Sequence, residues 1–176
     1  VLVLGFGVMI PLLSALTLFS MGQILGVLRA PMLTAFATGK VFIVLPMLVA
    51  AAEELFRERG EQFERPVSTA CAVTPLIYPF PHAGKLLALL FVPFAAWFVD
   101  QPVSVAQYPL LLGTGLFSMF GSPLAAIPFL LDQLRLPADM FQLFVVSGVL
   151  ASRMGDLLGA IHLFFVSVLI ACALTG

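Results

Sequence analysis

Six ionisable side chains sit inside long apolar runs: Lys40, His82, Lys85, Arg153, Asp156 and His162. Two of them fall in YPFPHAGK (78–85), which interrupts an apolar stretch running from VSTACAVTPLI to LLALLFVPFAAWF. Pro79, Pro81 and Gly84 break a helix there and free backbone carbonyls and amides. Such groups, with the dipoles of the flanking half-helices, can hold an ion or a substrate. A proline kink beside a packed, hydrogen-bonded histidine would use the same residues. The lysine at the break favours a site.

Charges at membrane depth cost roughly 2.5 to 3.5 kcal/mol each, so Lys40, Lys85, Arg153 and Asp156 need an account. About a dozen apolar residues flank Lys85 on either side, which places it near mid-depth. Arg153 and Asp156 are three apart on one helix and close enough to pair. A structural ion pair explains them as well as a ligand does. Even so, Lys40, Lys85 and Arg153 outnumber Asp156. An anionic ligand would offset that excess. His82 and His162 titrate near neutrality, which opens proton coupling; a lone packed histidine is the plainer account of each. Thr38, Ser118, Gly121 and Ser122 would supply hydroxyls and amides for a carboxylate, although any tight turn uses such residues.

The setting is lipid. Residues are 61% hydrophobic, mean hydropathy is +1.14 and only 10% are charged, against about a quarter in soluble domains. A net charge of −1 gives no reason to expect nucleic acid. Cys71 and Cys172 lack metal-ligand or disulfide-type spacing and read as small buried hydrophobes. No nucleophile–base pair stands out, so an enzyme is not expected, nor is a metal site. The 17 phenylalanines read as lipid-facing or packing groups. Val1 lies in an apolar run without a basic flank, which argues against a signal peptide. With the apolar end VLIACALTG, it suggests a piece of a longer membrane protein.

These residues need elements to position them. Residues 1–28 are long enough to span a bilayer, kinked at Pro11 and ended by Arg29-Ala30-Pro31 at a membrane edge. In 32–52, two short apolar arms flank TAFATGK, which predicts a re-entrant hairpin with a wet or protein-covered tip. EELFRERGEQFERP (53–66) reads as a solvated loop with helical ends, cytoplasmic by its Arg57, Arg59 and Arg65. Residues 67–99 form a second span, broken at YPFPHAGK; VDQPVSVAQYP (99–109), without Lys or Arg, marks the opposite face. A second hairpin covers 106–134 with its tip at SMFGSP, and a last span covers 140–174. The predicted fold is therefore all-α integral membrane. It has three spanning helices, the middle one broken, and two re-entrant helical hairpins in an inverted repeat.

MLTAFATGKVFIVLPMLVAAAEEL, VTPLIYPFPHAGKLL and SMFGSPLAAIPFLLDQLRLP, in that order, resemble the dicarboxylate/amino acid:cation symporter family, the glutamate-transporter fold. That family has a serine-rich first tip after an Ala-Phe pair and a broken helix bearing Asn-Met-Asp-Gly-Thr. Its second hairpin has a Gly-rich tip, an internal Pro and a closing Leu-Pro. The resemblance covers the family's sixth to eighth helices and both hairpins. Departures are informative. With Gly84 on the signature glycine, Pro81, His82, Ala83 and Lys85 replace Asn, Met, Asp and Thr. The carboxylate that helps bind sodium in the family is missing, and Lys40 stands in the first tip. A gapless alignment from Leu136-Pro137 puts Ser147 and Ala151 near the family's two aspartates. It puts Arg153 within one position of the substrate arginine, and His162 near a later cation-site residue.

The resemblance implies secondary active transport of a small organic anion, an acidic amino acid or dicarboxylate, by an elevator-like movement. It also implies a homotrimer, N-terminal scaffold helices beyond this chain, and an inner or plasma membrane location with several passes. Sodium coupling is expected to be atypical or absent. A membrane sensor or receptor subunit that kept the fold but lost transport is the alternative.

Overall fold

A computed structural model describes residues 1–57 and 64–175, whose regular elements are all helical, with no strand among them. A π-helical stretch, Val3–Met9, runs into α1 (Ile10–Leu16). Then follow α2 (Met21–Thr38), α3 (Val41–Arg57) and α4 (Glu64–Ile77). Beyond the break come α5 (Ala83–Leu87), a 3₁₀ turn and α6 (Phe91–Phe98). The chain closes with α7 (Tyr108–Ser118), α8 (Pro123–Gln133) and α9 (Met140–Thr175).

Two cores divide these helices. One joins α1, the α2–α3 hairpin, Ala70 of α4 and the C-terminal half of α9, around residues such as Leu28, Leu48, Phe56 and Phe164. The other joins α6 and the α7–α8 hairpin around Val92, Met119, Ile127 and Leu130, with Phe141 and Phe144 of α9 packed against it. The broken helix thus sends one half to each hairpin, and α9 serves both. Thr74 and Ser167, buried between α4 and α9, satisfy one another through a 2.9 Å hydroxyl–hydroxyl hydrogen bond.

Several expected boundaries move. The span expected over 1–28 stops at Leu16 and restarts at Met21. Thr17 is extended, its hydroxyl donating to the Leu13 carbonyl at 2.6 Å. Ser20 and Gln23 then form a reciprocal capping box that starts α2. Arg29-Ala30-Pro31 does not end a helix but lies inside α2, and Thr34–Thr38 are helical, so the first tip narrows to Gly39-Lys40. Both arms are longer than the 32–52 hairpin allowed, from Met21 to Arg57. Arg59 of the charged loop lies outside the described residues.

Among the described residues, one helix is long and apolar enough to cross a membrane, Met140–Leu174 of α9. The first expected span is not one long helix, since its apolar part Val3–Leu16 is shorter. Pro66–Ile77 and Ala83–Phe98 are the two short halves on either side of the expected break. Many large apolar side chains are exposed, among them Phe42, Leu76, Trp97, Phe117 and Val146.

Candidate functional site

The break between α4 and α5 is held against α9 by glycines. Gly84 is buried, and a Cβ on it would overlap the carbonyl oxygen of Gly155. One turn further, a Cβ on Gly159 would lie 2.7 Å from Nδ1 of His82. Small residues let two helix backbones approach this closely. His82, extended at φ −77° and ψ 161°, caps α5: its Nδ1 accepts from the Lys85 amide at 3.3 Å. Nδ1 of His162 accepts from the Ala83 amide at 2.7 Å.

The first tip also docks on α9, further round the helix. Gly39, at φ 61°, ends α2 in the left-handed conformation that glycine adopts freely. Arg153 donates from Nη1 to the Ala37 carbonyl at 3.1 Å. Oδ1 of Asp156 accepts from the Val41 amide at 3.3 Å. A cation therefore meets the C-terminal end of α2 and an anion the N-terminal end of α3, each matching the local helix dipole. The ion pair between Arg153 and Asp156 that their spacing allows does not form. Among the described residues the ion pair within 4.0 Å is Glu53–Arg57, at 3.4 Å on α3.

The second tip meets the break through Lys85, whose Nζ donates to the Gly121 carbonyl at 3.3 Å and lies 6.0 Å from the Tyr78 ring centre. Ser122 caps α8 by accepting from the Ala125 amide, ahead of Pro123 in the first turn.

Between the tips and the break lies a cavity of about 700 Å³. Lys40, His82, Lys85, Gly121, Ser122 and Asp156 line it, so six of the nine residues expected to bind come together. Thr38, Ser118 and Arg153 do not line it. The Thr38 hydroxyl donates to the Thr34 carbonyl and that of Ser118 to Gly115, while Arg153 is exposed and committed to Ala37. The starts of α3 and α8, at Val41 and Pro123, border the space, with Gly84 of α5 beside them. Its lining side chains carry two lysines against one aspartate, hence a net charge of +1 with His82 neutral. That arrangement suits a small anion.

One wall was not foreseen as a site. Ser147, Ala151 and Gly155 on one row of α9, with Gly148 and Ser152 on the next, line the cavity. Their four-residue spacing, and Gly155-x-x-x-Gly159 above all, is the readable sign of a close-packing helix face. No group of three or more His, Cys, Asp or Glu that could hold a metal ion occurs among the described residues.

The Asp156–Val41 contact has a direct test. Asp156→Ala removes the acceptor at the start of α3 and is expected to loosen the tip by about 1 kcal/mol, the usual worth of such a cap. Amide exchange at residues 40–42 should then quicken roughly fivefold, with Asp156→Asn close to wild type. Unchanged exchange in the alanine variant would show that the carboxylate does not hold the tip. Set against family models, curated proteins and solved structures, the chain matches none.

Proposed function

We propose that this chain is the substrate-carrying part of a secondary active transporter for a small organic anion, an acidic amino acid or a dicarboxylate. The observation that carries the reading is the cavity between two helical hairpins and a broken helix, bordered by the starts of α3 and α8 and by Lys40 and Lys85. Positive helix ends and lysines favour a carboxylate, and the size suits a molecule of several heavy atoms. Asp156 has a second carboxylate oxygen for an ammonium or hydroxyl group on the same ligand.

The membrane setting belongs to this reading. Its supports are the many exposed apolar side chains, the composition and the length of α9. In a bilayer, α4 and the α5–α6 segment would cross only in series, and the hairpins would enter from opposite faces. Several passes, an inner or plasma membrane location, elevator movement, trimeric assembly and scaffold helices all follow from the same resemblance.

The test is uptake of labelled L-aspartate and succinate by liposomes containing the complete protein, alongside binding to the detergent-purified protein. Saturable uptake of either compound is the expected result. Binding without uptake would replace transport by the sensor or receptor reading. Neither binding nor uptake would sink the anion site itself.

A further inference from the structure

We propose that His82 and His162 are positioning residues, which hold the first turn of α5 as neutral imidazoles and thereby aim Lys85 at the second hairpin tip. That Lys85 then serves an anion rests on the transport reading above; the imidazole contacts do not.

A helix start usually finds one Ser, Thr, Asp or Asn oxygen for its unpaired amides. Here two imidazoles do that work from different elements. His162, on α9, takes the Ala83 amide at 2.7 Å, and His82 takes the Lys85 amide at 3.3 Å. His82 is 3% exposed, with its ring seated against Gly159, where even a methyl group would collide with it. An imidazole accepts only through an unprotonated nitrogen, so these contacts assign the mobile proton of each ring to Nε2. Protonating Nδ1 would turn an acceptor into a donor facing a donor. It would also put positive charge at the positive end of α5.

The other ionisable groups around this point are Lys85 on α5, Asp156 on α9, Lys40 before α3 and Tyr78 after α4, all lining the same cavity. Lys40 and Lys85 oppose a further positive charge there, and Asp156 favours it. Lys85 belongs to the turn that the imidazoles hold, and its ammonium reaches Gly121 by a single 3.3 Å hydrogen bond. Losing the two caps therefore shifts the lysine away from the tip. Removing either acceptor by substitution should weaken anion binding.

Two measurements test this. First, spectra of ¹⁵N-histidine-labelled protein near neutral pH should show both Nδ1 atoms unprotonated and hydrogen-bonded. A proton on either Nδ1 would overturn the proposal whether or not the protein transports anything. Second, L-aspartate uptake by the complete protein near neutral pH should separate two variants. His162→Asn places an amide oxygen where Nδ1 stands and should restore the cap and most of the uptake. His162→Gln reaches past that position and should lose roughly fivefold, the worth of one cap. A glutamine variant as good as the asparagine one would refute the positioning role. If L-aspartate is not taken up at all, the transport reading fails and the nitrogen spectra alone decide this one.

Discussion

Gly84→Ala is expected to destabilise the fold by about 3–5 kcal/mol, enough to leave little properly folded protein. The added Cβ would overlap the carbonyl oxygen of Gly155 and would also stand 3.1 Å from the Gly159 amide nitrogen. Both obstacles are backbone, so no side chain can rotate away. The helices must separate, and the His162–Ala83 and His82–Lys85 contacts stretch with them. Gly155→Ala meets a milder obstacle, the Gly84 carbonyl at 3.1 Å, and should cost about 1–2 kcal/mol. Gly26→Ala, with nothing within 4 Å inside α2, should be neutral or stabilising by up to about 1 kcal/mol. Thermal midpoints and the monodisperse fraction in detergent would rank the three. A Gly84→Ala protein as stable as Gly26→Ala would mean that α5 does not rest on α9.

The same contact shows what the residues disclose by themselves. Pro79 and Pro81, two apart and followed by Gly84, mark the interruption unmistakably, and Gly39 marks the first tip. Single prolines do not break helices here: Pro31, Pro46, Pro75 and Pro128 all lie within them. The restart of α2 was written locally in Ser20-Met21-Gly22-Gln23, a capping box hidden in an apolar run too easily taken as one span.

The partners of Arg153 and Asp156 were not written locally. Spacing of three predicts a pair on an isolated helix. Folding brings backbone groups more than a hundred residues away, at Ala37 and Val41, which compete for each charge and win. Histidines as helix caps were equally hidden. Imidazole is not a common capping group, and His162 reaches Ala83 only because Gly155 and Gly159 let α5 approach. The cluster of site residues was legible from charge in an apolar setting; the choice among them needed the packing.

Lys85→Glu is expected to lower anion affinity by about a thousandfold or more. The cavity's side-chain charge would go from +1, with Lys40 and Lys85 against Asp156, to −1. One unit charge at about 4 Å is worth roughly 4 kcal/mol at an effective dielectric near 20, and this variant changes two. Lys85→Met removes one and should fall between wild type and Lys85→Glu. The lysine has a second role that a charge count omits, because its ammonium meets the Gly121 carbonyl at the second tip. On the transport reading, a tethered cation at that carbonyl would make a bound metal cation unnecessary for drawing the tip to the break. Uptake by the wild type is accordingly expected to proceed without sodium. Lys85→Thr combined with Ala83→Asp exchanges the positive charge for a carboxylate, and should bind anions weakly at low sodium. Uptake by the complete wild type and the double variant, in buffers with and without sodium, tests this directly. Strict sodium dependence of the wild type would refute the idea that the Lys85 ammonium takes the place of a bound cation.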